Sequence, residues 1–232
     1  MAISDSAGRA KVSSTQHPTS DCACHAAAHH PKLVVITGGP GGGKTAVLEL
    51  VRHAFCEHVA VLPEAASIVF GGGFFRSAEP TMRRAAQRAI FHVQREMERG
   101  AIELQRAAVV LCDRGTIDGA AYWPDSAASF FMEVGSSLQA ELHRYGAVIH
   151  LRTPGAGRGY DHRNPLRIET AEAAHVLDAK IADAWALHPR RFFVESSSEF
   201  FTKVQAAVDR IRDEVPACCR VHRVEGEAPN AD

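Results

Sequence analysis

The sequence predicts an α/β fold in which helices cover both faces of a five-stranded parallel sheet. Five short apolar runs are separated by segments with helical periodicity, and these runs lack the polar alternation of a half-exposed strand. Strands that are apolar on both sides are typical of parallel sheets buried under helices. The first apolar run leads through a glycine-rich turn into a helical segment, which is the usual order of a βα unit.

Strand and helix segments alternate along the chain. The predicted strands are 33–37, 59–62, 107–112, 147–151 and 192–194. The predicted helices are 45–58, 80 to about 105, about 170–187 and 199–215. Apolar residues at helical spacing form the expected inner stripe of the longest helix: Ala85, Ala89, Ile90, Val93 and Met97. These elements define one predicted domain, residues 32–215.

Two predicted tails flank this domain. Residues 1–31 are rich in Ser, Thr, His, Pro and small residues without apolar periodicity, which predicts a disordered tail, and residues 216–232 form a second, flexible tail. The first tail contains potential metal ligands: Cys22, Cys24, His25, His29 and His30. Their spacing matches no usual structural zinc pattern, so we favour a flexible tail with incidental Cys and His over a metal site.

The overall composition excludes several classes of protein. Hydrophobic residues make up 46% and charged residues 23% of the 232 residues, which is ordinary for a globular protein and excludes wholesale disorder. A net charge of −1 offers no general attraction to nucleic acid or to an acidic membrane. The chain shows no signal peptide, and none of its apolar runs approaches the length of about 18 residues that a membrane span needs. We therefore expect a cytoplasmic protein without nucleic-acid or membrane partners.

The most specific motif follows the first predicted strand and fits G-x-x-x-x-G-K-[ST]. Glycines allow the backbone to turn its N–H groups toward phosphate oxygens, and the N-terminus of the next helix adds a positive dipole end. The lysine reaches the terminal phosphates and the threonine hydroxyl ligates Mg²⁺. The matching residues are Gly38, Gly39, Pro40, Gly41, Gly42, Gly43, Lys44 and Thr45. We therefore predict a nucleotide-phosphate loop over residues 38–45.

Two further strands end in carboxylates that would face the same crevice. Asp113 follows the third strand, where an acid beside the phosphate loop would hold Mg²⁺; the alternative is local pairing or helix capping. Glu64 follows the second strand and could accept a proton from an attacking hydroxyl; the alternative is a capping or merely solvated side chain. Position alone leaves both alternatives open.

Other residues near these motifs have simpler interpretations. Tyr122 and Trp123 either line an acceptor pocket or pack beneath it. We expect His150, at the end of the fourth strand, in the core, and Cys56 and Cys112 as small buried hydrophobes.

In this order the motifs resemble a known family. The phosphate loop, Pro63-Glu64-Ala65-Ala66, Asp113-Arg114-Gly115 with Asp118 and Tyr122, and the later segment 163–169 are similar to the small P-loop ATPases of the nicotinamide-riboside-kinase-like AAA group. That group is similar in turn to nucleoside and thymidylate kinases. The resemblance covers most of residues 33–212 and implies a P-loop NTPase fold, nucleotide-kinase-like, with a mobile lid.

The resemblance also implies roles for particular residues. By matching position, Glu64 is similar to the catalytic base of nucleoside kinases, and Asp113-Arg114 is similar to their acidic residue–arginine pair. Arg163 and Arg167 are similar to lid arginines, which stabilise charge on the transferred phosphoryl group. The loop itself, residues 152–167, contains Pro and Gly and four arginines. The alternative for Arg163 and Arg167 is a solvated basic loop, which we favour for Arg152 and Arg158.

Together these features predict an ATP- and Mg²⁺-dependent kinase that phosphorylates a small hydroxyl-bearing, nucleoside-like metabolite. ATP is the default nucleotide because Thr202-Lys203-Val204-Gln205 lacks the Asp of the guanine-reading [NT]-K-x-D pattern. The group that the chain resembles also includes nucleotide-binding regulators. The alternative prediction is therefore a nucleotide-dependent switch, or a slow NTPase, that acts on a protein partner.

Overall fold

The parallel sheet contains all five predicted strands. A computed structural model describes residues 29–154, 171–196 and 199–219. Its strands are β1 (Lys32–Thr37), β2 (Val59–Leu62), β3 (Val109–Asp113), β4 (Tyr145–Leu151) and β5 (Arg191–Val194). They lie in the order β2-β3-β1-β4-β5, and every neighbouring pair is parallel. The predicted α/β architecture is thus confirmed.

Helices connect the strands and cover both faces of the sheet. They are α1 (Lys44–Ala54), α2 (Ala65–Gly71), α3 (Pro80–Leu104), α4 (Asp118–Tyr122), α5 (Ala127–Glu133), α6 (Leu138–Leu142), α7 (Ala171–Ala184) and α8 (Phe200–Glu214). The four long helices were predicted, whereas the short α2, α4, α5 and α6 were not. α5 and α6 each begin at a serine, Ser126 and Ser137, whose side chain accepts a backbone N–H from the first turn. Within the described part of the chain, each helix falls short of the length or apolarity that crossing a membrane requires.

The strands are buried on both sides, and successive residues face two separate apolar clusters. In β1, Val34 and Ile36 pack in the cluster under α1 and α8, whereas Leu33 and Val35 pack in the cluster under α3 and α7. This alternation follows from the two-residue period of a strand. Cys56 and Cys112 lie in these clusters, as small buried hydrophobes are expected to do.

The buried face of α3 differs from the predicted apolar stripe. The residues of that stripe are only half-buried, and the fully buried positions are Ala86, Phe91, Gln94 and Glu98. The polar pair is tolerated because its groups bond one another: the Gln94 amide donates to Glu98 Oε1 over 2.7 Å. The Tyr145 hydroxyl donates to the same oxygen over 2.8 Å. These hydrogen bonds therefore allow a partly polar side of the helix to be buried.

The core continues past residue 215, the predicted end of the domain. A short 3-10 helix, Ala217–Cys219, follows α8, and the Cys219 side chain is completely buried in the cluster under α1 and α8. Residues 1–28 and 220–232 lie outside the described residues, so the predicted tails remain predictions there.

The strand order brings the carboxyl ends of β3, β1 and β4 side by side. The phosphate loop follows β1, with β3 on one side and β4 on the other. In open α/β sheets, ligands bind in the crevice outside the carboxyl ends of the strands. We therefore expect the functional site at this edge of the sheet.

Candidate functional site

The phosphate loop wraps closely over the end of β4. Gly38 has a φ of 128° and Gly43 a φ of 91°, backbone conformations that residues with side chains rarely adopt. A Cβ atom on Gly38 would lie 2.1 Å from the carbonyl oxygen of Leu151, and one on Gly42 would lie 2.6 Å from it. Backbone conformation and contact with β4 thus explain why the motif needs glycine here.

Lys44, the first residue of α1, folds back into this loop. Its Nζ donates to the carbonyl oxygens of Gly38 and Gly39 over 2.9 Å and 3.0 Å. Burial, together with the Arg114 guanidinium, lowers the pKa of Lys44 to about 7, although Asp113 and Glu64 act in the opposite direction. The ammonium therefore lies within the loop, where a phosphate would offer it stronger acceptors than neutral carbonyl groups.

Asp113 ends β3 beside β1 and carries a buried carboxylate oxygen without a hydrogen bond. Oδ1 has no partner among the described residues. Burial raises the pKa of Asp113 to about 6; Glu64 adds to this shift and Lys44 opposes it. A buried carboxylate oxygen without a donor is suited to a divalent cation, and the hydroxyl of Thr45, exposed on α1, is the other predicted ligand. The residues present thus fit Mg²⁺.

Arg114 connects the ends of three strands. Its backbone has a φ of 69°, and its N–H donates to Ile36 of β1 over 3.0 Å. The side chain donates from Nε to Glu64 Oε1 over 2.7 Å and from Nη1 to the Gly38 carbonyl over 3.2 Å. Burial works against its charge, but Tyr122, Glu64 and Asp118 outweigh this effect and raise the pKa of Arg114 above its usual value. The guanidinium stays charged and fixes Glu64 relative to the loop.

Glu64 lies at the start of α2 and faces this crevice. It occupies the capping position of the helix, but its side chain makes no capping bond. Its carboxylate instead accepts bonds from Arg114 and, over 2.7 Å, from the Ser67 hydroxyl. Burial alone would raise the pKa of Glu64, but Arg114 and the Ser67 bond outweigh it and leave the pKa below its usual value. Glu64 is therefore ionised at neutral pH, as a proton acceptor must be.

Asp118 and the aromatic residues that follow it lie beside or beneath the Glu64–Arg114 pair. Asp118 accepts bonds from the Thr37 hydroxyl and, over 2.7 Å, from the Gly115 amide, which ties β1 to the turn after β3. The Tyr122 ring lies 5.6 Å from the Arg114 guanidinium, whereas Trp123 is buried against Phe130. Of the two aromatics whose position the sequence left open, Tyr122 borders the site and Trp123 packs beneath it.

A buried carboxylate on α7, Asp178, holds the other side of the phosphate loop and was missed by sequence reasoning. Its Oδ1 accepts the Gly39 amide over 2.8 Å and lies 2.9 Å from His150 Nε2. Burial alone would raise the pKa of Asp178, but the bonds from His150 and Gly39 outweigh it and lower the pKa to about 2. Asp178 lies four residues after buried Ala174 and three before buried Ile181, so helical spacing could have placed it inward.

Two basic residues complete this side of the site. Arg152, expected to be solvated, instead donates to Asp178 over 3.3 Å and lies over the Phe193 ring at 4.3 Å. Lys203 of α8 lies in the segment that lacks the Asp of the guanine-reading pattern, and its Nζ donates to the Arg152 carbonyl. Burial lowers the pKa of Lys203 to about 8, although Asp178 and Glu195 oppose this. His150 is fully buried, as predicted for a core histidine.

The structure therefore brings together the predicted residues near the ends of β1, β2 and β3. Lys44, Glu64, Asp113 and Arg114 interact electrostatically or through hydrogen bonds within one crevice. The predicted lid residues Arg158, Arg163 and Arg167 lie outside the described residues, as do Cys22, Cys24 and His25 of the first tail.

The segment that forms this crevice matches a known protein family. A family model described as "AAA domain" matches residues 33–202, which include every element from β1 through the start of α8. The chain belongs to this P-loop AAA-domain family. A search of curated proteins found no match. The matched range includes the phosphate loop, residues 38–45.

Solved structures support the same fold. One of them, titled "Crystal structure of NadR protein in complex with NAD and AMP-PNP", matches with a TM-score of 0.54 and 12% sequence identity. The match covers 88% of this chain and 52% of the NadR chain, so the protein spans about half the length of that relative. At this identity the likeness establishes the shared fold, in agreement with the nicotinamide-riboside-kinase-like group that the motifs resemble.

Proposed function

We propose that this protein is an ATP- and Mg²⁺-dependent phosphotransferase that acts on a small hydroxyl-bearing, nucleoside-like metabolite. The observation that carries the proposal is the convergence of Lys44, the unpartnered Asp113 oxygen and the Glu64–Arg114 pair in one crevice. Nucleotide binding alone requires only the loop and its lysine. The carboxylate poised beside them adds the proton acceptor that transfer to a hydroxyl needs.

In this proposal, the phosphate loop and Lys44 bind the polyphosphate of ATP. The amides of Gly39 and Gly42 donate within the protein. The other loop amides and the N-terminus of α1 would face the phosphates, and Lys44 would exchange two carbonyl acceptors for phosphate oxygens. Asp113 and Thr45 would hold Mg²⁺, which when bound neutralises charge on the phosphates. The NadR structure, whose fold this chain shares over about half of its length, is a complex with NAD and AMP-PNP, an ATP analogue, which supports ATP as the nucleotide.

Glu64 would take the proton of the acceptor hydroxyl during transfer. The acceptor oxygen forms a bond to the γ-phosphorus, the bond to the oxygen bridging to the β-phosphate breaks, and ADP leaves with that oxygen. Arg114 keeps Glu64 ionised and oriented. Arg163 and Arg167 are proposed to close over the γ-phosphate and stabilise its charge, as the family resemblance implies.

ATP turnover in the presence of a panel of hydroxyl-bearing metabolites tests this proposal. Lys44→Ala should weaken ATP binding by about tenfold to a hundredfold, because a charged hydrogen-bond donor to phosphate is lost. Glu64→Gln should leave ATP binding intact and lower acceptor-dependent ADP formation by about 10²- to 10⁴-fold. Two exposed residues supply matched controls, Lys180→Ala and Glu49→Gln, which should behave like the wild-type protein. Unchanged acceptor-dependent turnover in Glu64→Gln would remove Glu64 as the base.

A second candidate function is a nucleotide-dependent switch or slow NTPase that signals to a protein partner. The observation that favours it is the double anchoring of Glu64 by Arg114 and Ser67, which suits a structural carboxylate as well as a base. In this case no metabolite of the panel would stimulate turnover, and a protein partner would alter it. The same panel therefore discriminates between the two functions.

A further inference from the structure

A cluster of histidine and cysteine side chains lies at the opposite edge of the sheet from the phosphate loop. His29 precedes β1, Cys56 and His58 lie in the turn between α1 and β2, and Cys219 ends the 3-10 helix after α8. Ligand atoms of His29, His58 and Cys219 lie within 4.8 Å of one another. Cys56 Sγ and Cys219 Sγ each lie 3.7 Å from the same atom, His58 Nδ1. Cys56 Sγ is not among the three atoms that all lie within 4.8 Å of one another, but it adjoins the group through His58. Three distant segments of the chain thus bring two imidazoles and one thiol together, with a second thiol beside His58.

These separations are close to those around a tetrahedral zinc ion. Zn–S bonds of about 2.3 Å and Zn–N bonds of about 2.0 to 2.1 Å at tetrahedral angles place sulfur and nitrogen ligands about 3.6 Å apart. Both sulfur–nitrogen separations at His58 are 3.7 Å. These separations suit a metal held by His29, His58 and Cys219, whereas Cys56 has to turn further toward it to become the fourth ligand.

An unpartnered nitrogen provides an independent sign of a ligand. His29 Nε2 is buried and accepts no hydrogen bond from any described residue, a costly arrangement for an imidazole nitrogen. The His29 ring meets the His58 ring edge-on, with a centroid separation of 5.1 Å. The other three residues are at least nine-tenths buried. His29 itself is half-buried, so the position is largely enclosed and differs from an exposed surface cluster.

The backbone holds these ligands in place. The His58 carbonyl accepts the N–H groups of Ala108 and Val109 over 2.8 Å and 3.1 Å, and the Val59 N–H donates to the Cys56 carbonyl over 3.0 Å. The Cys219 amide donates to Pro216 over 2.9 Å. These bonds position the ligands in the metal-free protein, which lowers the free-energy cost of assembling a metal site.

We propose that His29, Cys56, His58 and Cys219 form a structural Zn²⁺ site that fastens both ends of the described chain to the core. Two thiolates and two imidazoles match the ligand preference of zinc, and four protein ligands leave no open position for catalysis. Binding releases the two thiol protons to solvent, so zinc affinity falls as the pH is lowered. The site is separate from the phosphate loop, and its role is stability rather than phosphoryl transfer.

The test uses the full-length protein, stripped with a chelator and then titrated with Zn²⁺ or Co²⁺. Metal analysis should find about one zinc per chain, and Co²⁺ should give the absorption of a tetrahedral thiolate site. Cys56→Ser, His58→Gln and Cys219→Ser should each weaken zinc binding by more than about tenfold, because changes even outside the ligand set commonly cost that much. Cys112→Ser, in the other apolar cluster, and His53→Ala, exposed on α1, are controls that should keep the metal.

Several results would overturn the proposal. The first is the absence of stoichiometric zinc, and the second is a cobalt spectrum without thiolate bands. The third is zinc binding that remains in Cys56→Ser and Cys219→Ser but is lost in Cys22→Ser and Cys24→Ser. If a variant fails to fold, thiol labelling of the wild-type protein decides the matter. Cys56 and Cys219 are buried, so labelling is followed at urea concentrations that partly unfold the metal-free protein. Zinc should slow the labelling of both thiols there, and equal labelling rates with and without zinc refute the site.

Discussion

At the scale of single residues, Asp113 and Lys44 occupy environments that disfavour their charged forms. Burial raises the pKa of the first to about 6 and lowers that of the second to about 7. Such opposed shifts within one crevice are typical of functional sites, where a ligand supplies the missing charge. Each shift leads to a measurable consequence.

For Asp113, the consequence concerns stability in the absence of Mg²⁺. The pKa of Asp113 is about 6 in the folded protein, whereas its ordinary value is 3.8. Between these two pH values the carboxyl group is mostly protonated in the folded state and mostly ionised in the unfolded state. The free energy of unfolding contributed by this group therefore falls as the pH rises from about 4 to 6. Asp113→Asn should be more stable than wild type above pH 6, by about 1 to 3 kcal/mol, with no difference below about pH 4.

Urea denaturation at several pH values measures this difference. Asp125→Asn, an exposed aspartate on the surface, is the matched control and should show no such pH-dependent gain. The same Asp113→Asn variant should bind Mg²⁺·ATP more weakly than wild type. A variant that is less stable than wild type at pH 7 without Mg²⁺ would contradict the assigned burial of this charge.

For Lys44, the consequence is a proton taken up when ATP binds. With a pKa of about 7 in the free protein, Lys44 is mostly neutral at pH 8, and the phosphates of ATP favour its charged form. ATP affinity should therefore fall as the pH rises above 7, by up to about tenfold per pH unit. Calorimetry at pH 8 in buffers of different ionisation enthalpy should detect the uptake. Lys44→Arg, which stays charged, should remove it, and a wild-type protein without uptake would exclude the shifted lysine.

At the scale of elements, α7 supports the phosphate loop from the side opposite to β3. Asp178 of α7 accepts the Gly39 amide and also contacts His150 and Arg152 at the end of β4. Asp178→Asn should lower the free energy of unfolding by about 1 to 3 kcal/mol and weaken ATP binding, because Gly39 loses a charged acceptor. Asp183→Asn, exposed on the same helix, is the control.

The pH dependence of this stabilisation distinguishes it from a simple packing effect. The pKa of Asp178 is lowered to about 2, so its contribution is complete above the ordinary value of 3.8 and is lost as the pH falls through about 2. Denaturation of wild type and Asp178→Asn should therefore converge toward low pH. A gap that persists unchanged below about pH 2 would show that the carboxylate charge is not responsible.

The elements also show which features a sequence can and cannot reveal. Apolar runs and the glycine-lysine motif were sufficient to predict the five strands, the long helices and the position of Lys44, because these depend on local residue patterns. The short α4 has no side-chain cap to mark its start, whereas the Ser137 cap of α6 is a local signal that was overlooked. The buried side of α3 carries Gln94 and Glu98, and Glu98 bonds Tyr145 of a distant strand, which a local pattern does not reveal. Asp178 was missed for the same reason, since its partner Gly39 lies far away in sequence.

At the scale of the whole molecule, β1 separates two sites at its opposite ends. The phosphate loop follows its carboxyl end, and the proposed zinc site lies before its amino end, beside the start of β2. A strand of six residues spans about 20 Å at about 3.3 Å per residue, so the two sites share no contact. A ligand that binds only the folded protein stabilises it by mass action, at either site.

The stabilising effects of ATP and zinc should therefore add. Mg²⁺·ATP at about a hundred times its dissociation constant should contribute about 2.7 kcal/mol, which raises Tm by about 5 to 10 °C for a chain of this size. Zinc should raise Tm by a further amount, so that the combined free energy equals the sum within about 0.5 kcal/mol. Lys44→Ala should lose only the ATP increment and His58→Gln only the zinc increment. A combined effect that departs from the sum by more than about 1 kcal/mol would mean that the core between them transmits a conformational change.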